Sequence, residues 1–147
     1  MKKILVSACL LGVACRYDGK SKPDARVIAL KDKYALIPVC PEILGGLPTP
    51  RIPCEIKDGR VLNCAGEDKT AEYVRGAEEV LRLARIFNCD TAVLKKKSPS
   101  CGSGEIYDGS FSAKTVSGDG VCAGLLKQNG INVLDEEQIK ELSGGEL

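Results

Sequence analysis

The residues best suited to chemistry in this sequence are its cysteines. Eight of the 147 residues are cysteine, whereas histidine is absent. Without histidine the chain cannot form a Ser-His-Asp triad, a Cys-His nucleophile pair or a histidine-ligated zinc site. Proton transfer then has to be carried by carboxylate, lysine, tyrosine or cysteine side chains. The composition therefore favours thiol or metal–thiolate chemistry.

Three of the cysteines follow segments that are predicted to be buried strands: Cys9, Cys40 and Cys101. The strands are predicted over residues 2–7, 34–39 and 90–94 from short, apolar and partly β-branched runs. Because the carboxyl ends of parallel strands lie at one edge of a sheet, we expect the three thiols to meet there. Cysteines that serve only as small buried hydrophobic residues would have no reason to share one end of the strands.

The absence of two common metal-binding motifs from the sequence limits which metal centre three such thiolates could hold. Structural zinc usually shows paired C-x2-C knuckles or histidine, and ferredoxins use a C-x2-C-x2-C run with a fourth cysteine; neither pattern occurs. A cubane iron–sulfur cluster held by three cysteines would leave one iron free to bind a soft sulfur atom as a Lewis acid. The pattern therefore indicates chemistry on a substrate sulfur, and a buried hydrophobic role is the alternative for each cysteine. Cys15 and Cys54, in the same predicted loops as Cys9 and Cys40, are the next candidates.

Polar residues near these cysteines are candidates for proton transfer and substrate orientation. Glu42 lies in residues 40–53, a segment with four prolines that is predicted to form a rigid loop. Its carboxyl could give or take a proton in a chain without histidine. Ser98 and Ser100 share a predicted loop with Cys101, and either hydroxyl could orient substrate or water. The alternatives are a surface position for Glu42 and loop capping by the serines.

The elements that must position these residues follow from hydrophobic patterning. A fourth strand is predicted at residues 131–134. Four helices are predicted: one capped by Asp24, one over residues 71–87 capped by Thr70, one over residues 120–128 and one capped by Asp135. The buried side of the second helix is predicted to consist of Val74, Ala77, Val80, Leu81 and Ala84. Alternating strands and helices predict an α/β fold with an open, mostly parallel, Rossmann-like sheet and helices on both faces. We expect one domain spanning residues 1–147.

Charge and hydropathy limit the kinds of partner that the protein is expected to bind. The chain has 21 basic and 20 acidic residues and few aromatic side chains, so a nucleic-acid partner is not expected. No apolar run approaches the roughly 20 residues that a membrane helix needs. Five residues separate Lys3 from Cys9, which is short for the core of a secretion signal. A cytoplasmic protein with reduced thiols and no membrane partner is therefore expected.

Four ordered motifs of the chain resemble the thiouracil desulfurases, small bacterial and archaeal proteins. The motifs are Ser7-Ala8-Cys9-Leu10-Leu11-Gly12, Cys15-Arg16-Tyr17-Asp18-Gly19, Cys40-Pro41-Glu42 with Gly45-Gly46-Leu47-Pro48-Thr49-Pro50-Arg51, and Lys97-Ser98-Pro99-Ser100-Cys101-Gly102. The resemblance spans nearly the whole chain. It implies a [4Fe–4S] cluster held by three thiolates: Cys9, Cys40 and Cys101. It also implies that the chain converts a small thiocarbonyl compound, 2-thiouracil, to uracil and sulfide without net redox change.

The same resemblance suggests roles for the neighbouring residues. The carboxylate that matches Glu42 would transfer protons, with help from Ser98 or Ser100. Cys54 departs from the resemblance, because a small residue such as alanine is expected at that position. Two other functions stay open from the residues alone: a zinc- or cluster-carrying module without turnover, and a thiol redox protein that uses Cys9 and Cys15.

Overall fold

The computed structural model describes residues 1–143 of the chain. The strands are β1 (Lys2–Ser7), β2 (Tyr34–Val39), β3 (Cys54–Lys57), β4 (Arg60–Asn63), β5 (Thr91–Val93), β6 (Glu105–Tyr107), β7 (Thr115–Ser117) and β8 (Asn132–Leu134). The helices are α1 (Ala25–Ile28), α2 (Pro41–Leu44), α3 (Thr70–Ile86) and α4 (Val121–Gln128), with two 3-10 helices, Ala8–Leu11 and Ala29–Asp32.

Four of the strands form one parallel sheet in the order β2, β1, β5, β8. β1 pairs with β2 along its whole length, from Lys2 opposite Tyr34 to Ser7 opposite Val39. The other edge of β1 pairs with β5, which pairs in turn with β8. The chain passes from β1 to β2 on one side and later to β5 on the other, so a topological switch point lies beside β1. The predicted α/β fold with a mostly parallel sheet is confirmed.

Both faces of this sheet are covered. Ile4 and Val6 of β1 point to one face, where they pack in a core with residues of the 3-10 helix Ala8–Leu11 and of α1. Leu5 points to the other face, where its core is built from α3 and α4. The alternation follows from the two-residue period of a strand. Helices on both faces, as predicted, therefore bury β1 from Ile4 to Ser7, whereas Lys2 and Lys3 at its start are exposed.

Of the three predicted helix caps, Asp24 is confirmed and Thr70 is wrong, and no helix follows the third, Asp135. The carboxylate of Asp24 accepts hydrogen bonds from the backbone N–H of Arg26 at 2.9 Å and of Val27 at 3.4 Å, and so caps α1. Thr70 is the first residue of α3 and does not cap it. Its hydroxyl instead accepts the N–H of Val61 at 2.9 Å, which ties the helix to β4.

The buried stripe of α3 was predicted with one error. Four of the predicted side chains are buried: Ala77, Val80, Leu81 and Ala84. Val74 is 40% exposed, and Tyr73, which is 1% exposed, takes its place. Tyr73 lies one turn before Ala77, so it continues the stripe at helical spacing. The buried face is therefore rotated by one residue at its start, toward β3 and β4.

The end of the described chain contradicts the predicted helix after Asp135. Residues 135–143 form turns, and no helix is present there. The Glu136 carboxylate pairs with the Lys95 ammonium at 3.1 Å, and Ile139 is completely buried. These contacts hold the segment against the body of the protein and satisfy its polar groups without a regular helix.

Two antiparallel hairpins lie outside the main sheet, and the sequence did not predict them. β3 pairs with β4, and β6 pairs with β7. Each strand has only three or four residues, which is too short for a clear alternation of apolar and polar side chains. The hairpins matter because residues of β3 and β6 border the site described below.

Two glycines set the distance between α2 and α3. A Cβ atom on Gly76 of α3 would lie 1.8 Å from the carbonyl oxygen of Pro41, and one on Gly45 would lie 2.0 Å from that of Glu72. Neither position can carry a side chain unless the helices separate, because both contacts are with backbone. α2 contains Glu42, so this contact positions a candidate catalytic residue.

Replacing Gly76 tests this contact. In an isolated helix Ala is more favourable than Gly by about 1 kcal/mol. We nevertheless expect Gly76→Ala to lower the free energy of unfolding by about 2 kcal/mol, because overpacking has to displace backbone. Urea denaturation measures the change. Gly124→Ala in α4 is the matched control, since its Cβ would meet only the Asp119 Cβ at 3.7 Å; equal effects of both substitutions would contradict the role of the contact.

Candidate active site

A cavity of about 380 Å³ opens at the carboxyl ends of β1, β2 and β5, beside the switch point of the sheet. Five of its lining residues are cysteines: Cys9, Cys15, Cys40, Cys54 and Cys101. Glu42 and Ser98 also line it. Most of the candidate residues from distant parts of the chain therefore meet in one place, which is where open parallel sheets bind ligands.

Each of the three candidate ligands comes from a different strand exit. Cys9 lies in the 3-10 helix Ala8–Leu11, directly after β1, and Cys40 lies between β2 and α2. Cys101 lies in the segment that leaves β5. Cys9 and Cys101 are buried, and Cys40 is partly exposed. The convergence that was predicted from strand ends is confirmed, whereas the role of these thiols as ligands stays a prediction.

Cys101 is held by two serine side chains. The Ser7 hydroxyl, at the end of β1, donates to the Cys101 Sγ at 3.4 Å and accepts the Lys95 N–H at 2.9 Å. The Ser98 Oγ accepts the backbone N–H of Ser100 at 3.0 Å and of Cys101 at 2.9 Å. These bonds connect the exits of β1 and β5 and fix the turn that carries the thiol.

The two predicted serines differ in their access to the cavity. Ser98 caps its own turn, which was the alternative considered for it, and also lines the cavity. Ser100 is completely buried, does not line the cavity, and its Oγ has no hydrogen-bond partner within residues 1–143. Of the pair, Ser98 is therefore the one that could contact a ligand.

Cys15 lies between the exits of β1 and β2. Its carbonyl oxygen accepts from the Cys40 thiol at 3.8 Å and from the Arg51 guanidinium at 3.0 Å. Contact with Cys40 lowers the pKa of the Cys15 thiol, but contact with Cys9 and burial raise it, and the net shift is upward. Cys15 is thus a neighbour of two candidate ligands, as its loop position suggested.

The thiols of Cys40, Cys101 and Cys54 are also held in their protonated form. Hydrogen bonding with Cys15, and then burial, raise the pKa of Cys40 far above its usual range. Burial, and then the neighbouring Cys122 thiol, raise the pKa of Cys101. Burial likewise raises the pKa of Cys54. A metal that binds these sulfur atoms has to displace their protons.

The arrangement of donors fits a cluster better than a single ion. Within residues 1–143 no three Cys, Asp or Glu side chains lie close enough together to hold one metal ion. The thiols of Cys9, Cys40 and Cys101 instead reach one cavity from three separate strand exits, as the ligands of a larger group with several irons would. Thiolate sulfur is the donor that iron–sulfur clusters use. The residues present therefore fit a cluster.

Glu42 is a partly buried member of the site and not a surface residue. Its Oε2 accepts the Tyr73 hydroxyl at 3.0 Å and pairs with the Arg51 guanidinium at 3.3 Å. The Arg51 side chain is 5% exposed and that of Glu42 is 15% exposed. Burial, and then the charge of Glu42, raise the pKa of Tyr73, so its hydroxyl keeps the proton that it donates.

The lysine run beside the site is ion-paired. Lys95 and Lys96 line the cavity, but their ammonium groups pair with Glu136 at 3.1 Å and Glu137 at 2.6 Å. The two lysines therefore place positive charge beside the cavity, and these carboxylates partly compensate it.

Sequence reasoning missed several residues of the site: Ser7, Arg51, Tyr73 and Glu55. Tyr73 could have been found from its helical spacing to Ala77 and Ala84. Arg51 is part of a motif that supports the family resemblance, but nothing in its spacing indicated that it would reach Glu42. Ser7 also belongs to such a motif, but its contact lies 88 residues along the chain, and Glu55, whose contact lies 54 residues away, carried no signal.

Comparison with known proteins identifies the family to which the chain belongs. A family model described as 2-thiouracil desulfurase matches residues 4–138, and the chain belongs to this family. It is 42% identical over 149 residues to the uncharacterized protein YbbK of Bacillus subtilis strain 168, covering 95% of this chain and 99% of that protein. It also matches a solved structure named as the [4Fe-4S]-dependent thiouracil desulfidase TudS, with a TM-score of 0.91 and 46% identity over 97% of this chain and 96% of the other.

None of the helices that the structure describes is both long and apolar enough to cross a bilayer.

The Arg51 pair with Glu42 makes a testable contribution to stability. Arg51→Met leaves a partly buried carboxylate without its cation, so we expect the free energy of unfolding to fall by about 3 kcal/mol. Adding Glu42→Gln to that variant should recover part of the loss, because the unpaired charge is removed. Urea denaturation at pH 7 gives both values.

Arg60→Met is the matched control for this measurement. Arg60 pairs with Asp68 at 2.9 Å, but both side chains are exposed, at 60% and 42%. An exposed pair contributes below about 1 kcal/mol, so the control should change stability little. Equal losses of unfolding free energy in Arg51→Met and Arg60→Met would show that the pair with Glu42 contributes no more than an exposed ion pair.

Proposed function

We propose that this protein is a [4Fe–4S]-dependent desulfurase that converts thiocarbonyl compounds such as 2-thiouracil to the oxo compound and sulfide. The observation that carries the proposal is the set of thiols from three separate strand exits around one cavity, next to a paired carboxylate. Family membership and the named activity of TudS support it. We further propose that residues 1–147 act as one cytoplasmic domain on a small molecule, without nucleic acid or membrane.

The residues proposed to hold the cluster are Cys9, Cys40 and Cys101. When bound through three thiolates, a [4Fe–4S] cluster supplies an iron with an open position, a Lewis acid suited to a thione sulfur. The thiol of Cys15 stands next to two of these ligands and is the first substitute should one of them be lost. Cys54 lies near Tyr73 and Glu42, so its thiol borders the side of the site where protons are handled.

Glu42 is the proposed proton-transfer residue. The reaction replaces C=S by C=O with the oxygen of water, and sulfide leaves with the protons that water supplies, so no electrons are needed. Tyr73 and Arg51 both bind Oε2 of Glu42 and hold the carboxylate in place. We propose that Oε1 accepts the proton from the attacking water and returns it to the leaving sulfur.

Ser98 is the proposed helper in this step. Its oxygen already accepts two backbone N–H groups, so its own hydroxyl proton is free to be donated. Donation into the cavity would orient the water or the heterocycle. Ser100 was an equal candidate from the sequence, and its buried position makes it the weaker one.

The two alternative functions gain less support. A zinc module needs a compact set of ligands, which the described residues do not form. A thiol redox protein uses a thiol with a lowered pKa. The pKa of Cys15, one of the two cysteines of that hypothesis, is shifted in the opposite direction.

The ligand assignment predicts which cysteines are needed for the cluster. After anaerobic reconstitution, Cys9→Ala, Cys40→Ala and Cys101→Ala should each lose most of the visible absorption and the protein-bound iron and sulfide. Cys89→Ala is the control, because Cys89 is buried at the opposite end of the sheet and does not line the cavity. The parent protein should release sulfide from 2-thiouracil. Equimolar zinc with no visible absorption, and no sulfide release, would refute the proposal.

Glu42 should be required for turnover and not for the cluster. We expect Glu42→Gln to retain parental iron and sulfide content while sulfide release from 2-thiouracil falls by at least about 100-fold, because a proton-transfer group is lost. Glu78→Gln, an exposed carboxylate on α3, should behave as the parent. Loss of iron in Glu42→Gln would mean that the carboxylate supports the cluster itself.

A further inference from the structure

The loop at residues 108–114 joins β6 to β7 and forms part of the cavity wall. Tyr107, Phe111 and Ala113 all line the cavity. Phe111 is 38% exposed although it is a large apolar side chain. An aromatic ring at the edge of a cavity offers a flat face to a planar ligand.

The backbone of this loop is strained. Phe111 has a φ of 56° and Ala113 a φ of 65°, both in the left-handed region. A bulky residue rarely adopts this conformation, because its Cβ crowds the backbone. Such strain costs free energy and persists only where surrounding contacts impose it. The loop makes hydrogen bonds within itself, such as Asp108 N–H to the Lys114 carbonyl at 3.0 Å, and it is also held from outside.

Glu55 of β3 provides that hold. Its Oε1 accepts the N–H of Gly109 at 3.0 Å and of Phe111 at 3.1 Å, from 54 and 56 residues away. The side chain is buried, and it also lines the cavity. A buried carboxylate needs such partners, so its bonds to the loop are charge-assisted. Glu55 thus links β3 to the conformation of Phe111.

Gly109 brings the loop close enough for these bonds. A Cβ atom at this position would lie 2.7 Å from the Cβ of Lys57 and 2.8 Å from the carbonyl oxygen of Ile56. Gly109 also has a φ of 92°, which favours glycine. Close packing and the carboxylate therefore act together to place the loop against β3.

We propose that Glu55 is a positioning residue for substrate binding, which holds loop 108–114 so that the Phe111 ring forms a stacking wall for a planar heterocyclic thiocarbonyl compound. The inference rests on the proposed function for the identity of the substrate. It adds to that function a preference for a flat ring over a small acyclic thioamide. Stacking between a base and an aromatic side chain is strong enough to control the affinity of a small ligand.

The first test separates binding from chemistry. With reconstituted protein, Phe111→Ala should raise the KM for 2-thiouracil about tenfold and change kcat much less, because stacking acts on the bound ring and not on the proton step. Phe111→Tyr keeps the ring and should remain within about twofold of the parent. Binding of uracil, measured by calorimetry, should weaken in parallel in Phe111→Ala. Unchanged KM and unchanged uracil affinity in Phe111→Ala would overturn the proposal.

The second test addresses Glu55 itself. Glu55→Ala should raise KM in the same way and make the amides of Gly109 and Phe111 exchange with deuterium faster. Glu55→Gln retains an oxygen acceptor at Oε1 and should restore most of both properties. If Glu55→Ala speeds exchange across the whole protein, its role is general stability, and the proposal fails. Rescue by Glu55→Gln in both measurements would support positioning.

A third pair of variants remains informative if Glu55→Ala does not fold. Gly109→Ala adds a clash with β3, whereas Gly59→Ala, in the β3–β4 turn at a φ of 76°, has no atom within 4 Å of the new Cβ. Only Gly109→Ala should raise KM and loosen the loop. Deuterium exchange and uracil binding are both measured without turnover. If the parent protein binds uracil but releases no sulfide, the proposed function is refuted, and the proposal for the loop is then decided by exchange and uracil binding alone.

Discussion

Parallel pairing of β1 with both β2 and β5 is the constraint on which the site depends. Because all three strands run in the same direction, their exits lie at one edge of the sheet, and the segment after each of them carries a candidate cysteine. Complete burial of Ile4, Leu5 and Val6 keeps the central strand in register, since a shift by one residue would exchange its two faces. The thiols at positions 9, 40 and 101 inherit their proximity from this arrangement, not from closeness along the chain.

A second set of contacts turns three separate exits into one rigid site. The carbonyl of Cys15 accepts from the Cys40 thiol and from Arg51, and the same guanidinium pairs with Glu42. On the other side, the Ser7 hydroxyl bonds to Cys101 and to the Lys95 amide. A buried charge is costly unless it is paired and hydrogen-bonded, so these partners are needed for the polar groups to exist beside the thiols at all. Several of the polar groups that line the cavity are thereby oriented before any ligand enters, which reduces the ordering that binding has to impose.

Elements with a strong local signal could be read from the sequence, and elements defined by distant contacts could not. The apolar run of β1, the Asp24 cap and most of the buried stripe of α3 depend on neighbouring residues and were predicted correctly. The stripe began one residue too late, because Val74 and Tyr73 fit the helical period almost equally well and only β3 and β4 decide between them. The segment after Asp135 has helix-forming residues, yet Glu136 binds Lys95 and Ile139 enters the core, and these tertiary contacts outweigh local propensity.

By itself the sequence determined the kind of chemistry, because residue type limits which donors and proton carriers exist: eight cysteines, no histidine and a carboxylate two residues after Cys40. It also determined which strands place Cys9, Cys40 and Cys101 at one edge, since hydrophobic runs mark buried strands. Only the tertiary structure decided how the carboxylate is held, which serine reaches the cavity and what forms its outer wall. Those outcomes depend on single hydrogen bonds between residues far apart in the chain, such as Tyr73 with Glu42 and Glu55 with Phe111. Such bonds follow no period or local pattern in the sequence, so they can be identified only in the folded structure.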